Sequence, residues 1–340
     1  MTLRLAINGF GRIGRCVLRA LYERNASDQI KIVAINEPAA AEAVAYLTRY
    51  DSTHGRFPGT VELDGNTLII NGDSIALSAH ESLDALDWQA QAVDIVLECS
   101  GSFTCRTQAE KHVQAGAKKV LFSQPADHDI DATVVVGVND SSLLPQHRIV
   151  SAASCTTNAI VPVISVLDAL FGVENGVITT IHSAMNDQPV LDAYHHTDLR
   201  KTRAALHSLI PIDTQLARGI ERILPHLHGR FEAQAMRVPT QNVSAMDLSV
   251  LLKKPVDVAR VNAALRDAAH DSLKGILAYT EEPLASCDFN HDPHSGIVDA
   301  SQTRVSGQLV KVLVWFDNEW AYANRMLDIV GRWAGRRSPM

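Results

Sequence analysis

The stretch that decides the fold is Leu3-Arg4-Leu5-Ala6-Ile7-Asn8-Gly9-Phe10-Gly11-Arg12-Ile13-Gly14. Its first half is an apolar run typical of a β-strand, and its second half matches the pattern G-x-G-x-x-G. In that pattern the first glycine permits a tight turn and the second lets the backbone approach a pyrophosphate. The third lets the helix pack on the strand. The stretch therefore predicts a strand, a phosphate-binding turn and the start of a helix.

A second strand is predicted over 30–35, and an acid follows it at Glu37. A carboxylate there would accept hydrogen bonds from an adenosine ribose and repel a 2′-phosphate, which favours NAD over NADP. The alternative for Glu37 is a solvated carboxylate at a strand end. The succession of strand, glycines, helix, strand and acid is nevertheless a strong signal for dinucleotide binding.

Strands continue to alternate with helix as far as residue 151. Apolar runs predict strands over 93–99, 120–123, 133–138 and 148–151, and a helix over 106–115. Such alternation is typical of a mainly parallel, doubly wound sheet, so we expect an α/β Rossmann domain over 1–153. The segment 51–80 is rich in Gly, Asn and Thr and is expected to insert hairpins into that sheet.

Cys155 stands at the predicted start of a helix, with Ser154 as a candidate N-cap. The helix dipole and the unpaired backbone N–H groups favour a thiolate at this position, so Cys155 is a candidate nucleophile. A buried structural cysteine is the alternative. His182 ends a β-branched run further along, where it could take the thiol proton or stay as imidazolium beside a thiolate. The chain has 14 histidines, so a structural role for this one is the competing interpretation.

The second half of the chain has a different pattern. Long β-runs over 231–239, 243–252 and 309–316 predict a mostly antiparallel sheet, and helices are predicted over 257–273 and 320–333. We therefore expect an α+β catalytic domain over 154–318, with segment 319–340 packing back on the first domain and a frayed basic tail over 335–340. A boundary beside Cys155 would place it in a cleft between the domains, where ligands commonly bind.

Two features of the second half indicate an anionic ligand. The polar segment 184–209 is a long predicted loop, which is usually functional in a compact domain. Its cations suit a phosphorylated substrate or a subunit interface. Arg237 lies inside an apolar run and needs a partner, for which a phosphate or an internal carboxylate would serve.

Composition excludes several classes of protein. The 340 residues are 46% hydrophobic and 20% charged with a net charge of −7, as expected of a globular protein with two domains. No basic block indicates a nucleic-acid or membrane partner. No apolar run is long enough to span a bilayer, and no signal peptide is recognised. The five cysteines lack metal or disulfide spacing, so we expect reduced thiols, no metal and a cytoplasmic location.

Four motifs together resemble the phosphorylating glyceraldehyde-3-phosphate dehydrogenase family, over nearly the whole chain. They are Gly9-Phe10-Gly11-Arg12-Ile13-Gly14, Ala152-Ala153-Ser154-Cys155-Thr156-Thr157-Asn158, Arg237-Val238-Pro239-Thr240 and Trp315-Phe316-Asp317-Asn318-Glu319. The resemblance implies NAD as cofactor, Cys155 as nucleophile, His182 as base and a homotetramer. It also implies that Asn318 holds the nicotinamide amide.

The resemblance further implies two sets of binding residues. The cofactor set is Gly9, Phe10, Gly11, Arg12, Ile13, Gly14, Glu37, Ser123, Asn318 and Tyr322. The set for a phosphorylated aldose substrate is Ser154, Thr156, Asp187, Arg200, Lys201, Thr214, Gln215 and Arg237.

Within the family, the likeness is closer to the branch that oxidises erythrose 4-phosphate. Its marks here are His182-Ser183-Ala184-Met185, Asp192-Ala193-Tyr194-His195 and Asp288-Phe289-Asn290-His291-Asp292-Pro293-His294-Ser295. Met185 replaces a phosphate-binding threonine, Gln215 a glycine at the inorganic-phosphate site and Lys201 an arginine. Because lysine lacks the bidentate fork, the changes at Lys201 and Gln215 weaken the pocket for inorganic phosphate. They favour water as the acceptor of the acyl group and 4-phosphoerythronate as product.

Two other functions stay open at this level. The first is the glycolytic reaction of glyceraldehyde 3-phosphate, with inorganic phosphate as acceptor. The second is a non-catalytic NAD-binding protein, against which the Cys155–His182 pair argues. Glu37 replaces the family's aspartate, so its ribose contact carries over less directly.

Overall fold

A computed structural model describes residues 2–195 and 197–335. The chain forms two compact units. One contains the chain up to Ser154 together with the segment from Tyr322 onward, and the other spans Cys155–Ala321. The sequence places these boundaries at residues 153 and 318. Of the expected basic tail, residues 336–340 lie outside the described residues.

The first unit is built on the predicted strand–glycine–helix stretch. Its helices are α1 (Arg12–Glu23), α2 (Ala41–Arg49) and α3 (Arg106–Gln114). Its strands are β1 (Leu3–Asn8), β2 (Ile30–Asn36), β3 (Tyr50–Asp51), β4 (Gly55–Arg56), β5 (Val61–Asp64), β6 (Thr67–Ile70), β7 (Asp73–Ser78), β8 (Ile95–Glu98), β9 (Lys119–Phe122), β10 (Ala132–Thr133) and β11 (Ile149–Ser151).

Nine of these strands form one sheet in the order β10-β11-β9-β8-β1-β2-β7-β6-β5. The strands from β10 to β7 pair in parallel, and β7, β6 and β5 continue as an antiparallel meander. The sheet is therefore the expected doubly wound Rossmann sheet. Its strand order reverses at β1, so the crevice beyond the carboxyl end of β1 is where such sheets bind ligands.

The strand predicted over 133–138 is wrong. Only Ala132–Thr133 pairs, and the chain then turns, although Val134, Val135 and Val136 are all buried. The Asn139 side chain supplies hydrogen bonds that a neighbouring strand would otherwise make. It accepts from the Val135 amide and donates to the Thr133 carbonyl. The apolar run thus reflects burial beneath a turn, which periodicity alone does not distinguish from a buried strand.

A buried polar network ties the carboxyl ends of β1 and β8 together. The Glu98 carboxylate is inaccessible to solvent and accepts from His112 Nε2 (2.8 Å), Asn8 Nδ2 (2.7 Å) and both the amide and hydroxyl of Ser100. Trp88 Nε1 donates to His112 Nδ1 at 3.0 Å, which leaves Nε2 as the proton donor to Glu98. The network fixes the backbone on which the glycine turn rests.

The second unit contains helices α4 (Cys155–Phe171), α5 (Leu216–Ile223) and α6 (Val258–His270). Its strands are β12 (Val173–His182), β13 (Ile210–Ile212), β14 (Phe231–Arg237), β15 (Ser244–Leu252), β16 (Leu277–Thr280), β17 (Gly296–Ser306) and β18 (Leu309–Phe316). They form one sheet in the order β13-β14-β12-β15-β18-β17-β16, in which only the β12–β14 and β16–β17 pairs are parallel. The expected α+β domain with a mostly antiparallel sheet is therefore present.

The terminal helix α7 (Trp320–Trp333) joins the first unit from Tyr322 onward. Asp328 forms an ion pair at 2.6 Å with Arg24, the residue that follows α1. The Lys119 ammonium lies 4.5 Å from the centre of the Trp333 ring. These contacts hold α7 against the Rossmann sheet.

Over residues 2–195 and 197–335, none of the helices is long and apolar enough to cross a membrane.

We expect His112→Leu to lower the free energy of unfolding by about 3 kcal/mol, measured by urea denaturation. The change leaves the buried Glu98 carboxylate short of one donor and the Trp88 N–H without its acceptor. Gln114→Leu is the matched control, because Gln114 is exposed on the same helix. Equal stabilities of the two variants would contradict a structural role for the network.

Candidate active site

Cys155 is the first residue of α4, after a sharp turn from β11. Ala153 in that turn has φ +58°, a conformation that is rare for a residue with a Cβ and often marks functional turns. The Ala153 amide donates to the Ser151 hydroxyl at 3.0 Å, and the Tyr322 hydroxyl donates to the Ala153 carbonyl at 2.8 Å. These bonds hold the strained turn that delivers Cys155 to the helix N-terminus. Ser154 occupies the position just before the helix, as expected.

His182 is the last residue of β12, and its Nε2 lies 3.9 Å from Cys155 Sγ. The ring is buried and meets the edge of Phe316 at a centroid distance of 6.3 Å. The structure thus brings together the two residues predicted to be catalytic. A nitrogen at this distance can exchange a proton with the thiol after a small approach.

Arg237 lies beside His182 because β12 and β14 run in parallel with these two residues in register. Its Nη1 is 2.6 Å from His182 Nδ1 and 3.3 Å from the Ser183 carbonyl. Its Nε is buried and has no hydrogen-bond partner among the described residues. No carboxylate of the described residues is hydrogen-bonded to the guanidinium. The contact with His182 was missed, since strand pairing leaves no local signal in either run.

Burial, Arg237 and Glu319 set the protonation of the pair. Burial raises the pKa of the Cys155 thiol to about 11, although Arg237 and the amides of Thr156 and Cys155 act in the opposite direction. Burial and the charge of Arg237 lower the pKa of His182 to about 4. Both shifts favour the uncharged forms of the two groups, a thiol beside a neutral imidazole. Burial therefore acts against the thiolate that the helix N-terminus favours, and a preformed thiolate stays a prediction.

Asp187 and Lys201 meet in the long loop, where Lys201 Nζ lies 2.9 Å from Asp187 Oδ2. Burial opposes ionisation of Asp187, but the Lys201 hydrogen bond and the charges of Arg237 and Lys201 lower its pKa overall. Arg200 precedes Lys201 in a short 3-10 helix, Arg200–Thr202, and is exposed.

Thr214 and Gln215 lie at the start of α5. The Thr214 hydroxyl accepts from the Leu216 amide at 3.3 Å, and Gln215 is exposed at the N-cap position. Thr156 follows Cys155 in the first turn of α4 and acts on the thiol through its amide. A shared substrate site that includes Arg200, Thr214 and Gln215 stays a prediction.

The glycine turn fits a dinucleotide. Gly9 has φ +87°, and a Cβ on it would collide with the Ser100 backbone. A Cβ on Gly14 would collide with the Gly9 carbonyl, so these two glycines are required by the turn itself. A Cβ on Gly11 would meet nothing within 4 Å. The open space at Gly11, at the N-terminus of α1, is where a pyrophosphate can approach the backbone.

The other predicted cofactor residues have defined contacts. Glu37 follows β2, and its carboxylate accepts from the Phe10 amide at 2.8 Å. Arg12 points to the nearly buried Asp51, with Nη1 and Nη2 at 2.5 and 3.1 Å from its two oxygens. The Arg12 side chain is thus occupied within the protein. Ser123 directly follows β9, and its amide donates to the Glu98 carbonyl. Tyr322 is buried, and its hydroxyl donates to the Ala153 carbonyl.

Asn318 is held in one orientation in the second unit. Its Oδ1 accepts from the hydroxyls of Ser183 and Ser244, both at 2.9 Å. The Ser244 oxygen in turn accepts from the Ser183 amide at 3.1 Å. The side-chain amide is therefore fixed with its oxygen toward the two serines and its NH₂ group away from them.

Comparison with known families gives two matches. The model described as "Glyceraldehyde 3-phosphate dehydrogenase, NAD binding domain" matches residues 3–106. The model described as "Glyceraldehyde 3-phosphate dehydrogenase, C-terminal domain" matches residues 154–318. Together the matches cover more than half of the chain.

We expect alkylation of Cys155 by iodoacetamide to accelerate steadily from pH 7 to pH 10 in the cofactor-free protein, as followed by mass spectrometry of the labelled peptide. The thiolate is the reactive form, and a thiol pKa of about 11 leaves its fraction rising throughout this range. A Cys287→Ser background removes labelling of an exposed thiol. A rate that reaches a plateau below pH 8 would instead demonstrate a preformed thiolate–imidazolium pair.

Proposed function

The chain belongs to the glyceraldehyde 3-phosphate dehydrogenase family and uses NAD as its cofactor, and from this premise we propose that it oxidises D-erythrose 4-phosphate to 4-phosphoerythronate. In this proposal the acyl group is carried as a thioester on Cys155 and is released by water. Such a reaction would supply pyridoxal phosphate synthesis.

The chemistry rests on Cys155 and His182. The sulfur forms a bond to the aldehyde carbon while its proton passes to His182 Nε2, 3.9 Å away in the free protein. The Cys155 amide is positioned to stabilise the oxyanion that results. A bound NAD would supply the acceptor for the hydride of this carbon. The thioester that remains on Cys155 is then open to attack by water.

The orientation of Asn318 supports its proposed role beside the nicotinamide. Because Ser183 and Ser244 hold its oxygen, the NH₂ group is the end offered to the carboxamide oxygen. The glycine turn and Glu37 form the proposed contacts to the pyrophosphate and ribose. Because the Arg12 side chain is paired with Asp51, we expect Arg12 to contact the cofactor through its backbone.

The ion pair of Lys201 with Asp187 is the observation that carries the choice of water. A cation that already holds a carboxylate attracts inorganic phosphate less strongly, and lysine offers no bidentate fork. Arg237, with a buried Nε that lacks a partner among the described residues, is the proposed ligand of the substrate's own phosphate.

The second candidate is oxidation of glyceraldehyde 3-phosphate with inorganic phosphate as acceptor. Both matched domains carry the name of that enzyme. Arg200 also leaves an exposed cation beside Lys201, in the same turn of 3-10 helix. An anion held by Arg200 would favour phosphate over water.

The long loop supports assembly with further copies of the chain. Six of its apolar side chains are 56–104% exposed: Val190, Leu191, Tyr194, Leu199, Leu206 and Leu209. A cluster of this kind is typical of a surface that another protein covers. We therefore propose the homotetramer that the resemblance implies. A cytoplasmic location stays a prediction.

We expect purified protein to form NADH from erythrose 4-phosphate without inorganic phosphate, and faster than from glyceraldehyde 3-phosphate. Lys201→Arg combined with Gln215→Gly restores the residues of the phosphate site, so added phosphate should then raise the rate about tenfold. Lys274→Arg is the control for a conservative change at an exposed lysine. Strict dependence of the unmodified protein on phosphate, with glyceraldehyde 3-phosphate preferred, would establish the second candidate.

We expect Leu199→Asp to reduce the mass of the assembly, measured by light scattering after size exclusion. Leu199 is 85% exposed, and an aspartate there would place an unpaired carboxylate in the proposed interface. Leu144→Asp, at an exposed apolar residue of the first unit, should leave the mass unchanged. A monomeric unmodified protein, or an unaltered mass for Leu199→Asp, would contradict the proposed surface.

A further inference from the structure

His182 Nδ1 has two neighbours that make opposite demands on it. The Ser183 carbonyl oxygen lies 2.8 Å away and can only accept a hydrogen bond. Arg237 Nη1 lies 2.6 Å away and can only donate one. A neutral imidazole carries at Nδ1 either a proton or a lone pair, so at any moment Nδ1 can form a hydrogen bond with only one of these two neighbours.

The choice at Nδ1 decides what Nε2 can do. When Arg237 donates to Nδ1, the single ring proton is on Nε2, which then faces Cys155 Sγ as a donor and cannot accept the thiol proton. When Nδ1–H donates to the Ser183 carbonyl, Nε2 has a lone pair and is a base. The two tautomers are therefore an inactive and an active form of the same residue.

Arg237 is incompletely paired in its present position. Its Nε has no partner among the described residues, and no ion pair is described for it. Its second contact, from Nη1 to the Ser183 carbonyl, is long at 3.3 Å. A buried donor without an acceptor is unfavourable, so a phosphate able to accept several guanidinium hydrogens would draw the group away from His182.

We propose that Arg237 sets the tautomer of His182 in the free protein, and that the phosphate of the substrate reverses this setting by engaging the guanidinium. Arg237 is then a positioning residue for the base as well as a ligand. The inference rests on the proposed function, because it requires Arg237 to bind the substrate's phosphate.

Protons balance in this sequence. On release of Nδ1 the ring loses the Nε2 proton to solvent and gains one from solvent at Nδ1, so it stays neutral. When the C–S bond forms, the thiol proton moves to Nε2 and the ring becomes an imidazolium bonded to the Ser183 carbonyl.

The charges around the ring favour the same order of events. Arg237 on β14 lowers the pKa of His182, whereas Asp187 in the loop and Glu319 after β18 raise it. Cys155 on α4 faces Nε2 and is protonated at neutral pH. Neutralising the guanidinium with phosphate therefore makes His182 a stronger base as substrate arrives.

The tautomer can be read directly by nitrogen NMR of protein labelled with ring-¹⁵N histidine, since protonated and bare ring nitrogens have distinct chemical shifts. A His182→Gln sample identifies the signals. We expect the Nε2–H tautomer in the free protein at pH 7 and the Nδ1–H tautomer with saturating glycerol 3-phosphate, which has a phosphate and no aldehyde. Broadening of the ligand's phosphorus signal reports its binding independently.

Arg237→Gln should give the Nδ1–H tautomer without any ligand. Arg218→Gln, which removes an exposed guanidinium from α5, should leave the tautomer of the unmodified protein in place. An Nδ1–H tautomer in the free unmodified protein overturns the proposal, and so does bound glycerol 3-phosphate that leaves Nε2–H in place. Failure of glycerol 3-phosphate to bind overturns the phosphate-triggered step. The choice between water and phosphate is decided separately by NADH formation.

Discussion

Arg237 donates to a ring that itself faces the nucleophile; the ring and the guanidinium are buried, and the cysteine is partly buried. Burial favours the thiol over the thiolate and the neutral imidazole over the imidazolium. It also disfavours the charge of the guanidinium, which a bound anion would stabilise. The site holds a positive charge that its own residues do not fully compensate. The proposed substrate carries both a phosphate and an aldehyde, so it would supply the anion and the electrophile in one molecule and give selectivity and activation a common electrostatic origin.

The backbone achieves this arrangement with few elements. The parallel register of β12 and β14 places His182 opposite Arg237 at the ends of neighbouring strands. The strained turn at Ala153 then starts α4 at Cys155. Because a ten-residue strand and a 17-residue helix hold these groups, their spacing is set by rigid structure. The proposed phosphate ligands of the long loop are carried by far less regular structure, which suits a segment that must adapt to its substrate.

The sequence predicted those features that depend on residues close together in the chain. The glycines of residues 9–14 determine their turn by direct steric need, so sequence sufficed there. Strand β17 went unrecognised, since a register irregularity between Asp299 and Arg304 breaks its alternation, and Asp299 is a buried acid bonded to Trp315. A thiolate at Cys155 was expected from the helix N-terminus alone. Burial, which raises the pKa of the thiol, depends on the tertiary structure and could not be predicted from the local sequence. The Arg237–His182 contact likewise depends on strand pairing between distant segments.

Two buried charges in this chain show how a structural role differs from a functional one. Glu98 is fully buried, and four donors satisfy both of its oxygens, so the group is complete without a ligand. Arg237 is nearly as buried, yet its Nε lacks an acceptor among the described residues. Its Nη1 contacts His182 Nδ1, for which the Ser183 carbonyl also competes. An incompletely paired buried cation carries a free-energy cost that a bound anion would remove. On this reasoning the pairing of a buried charge, rather than its burial, indicates where a ligand belongs.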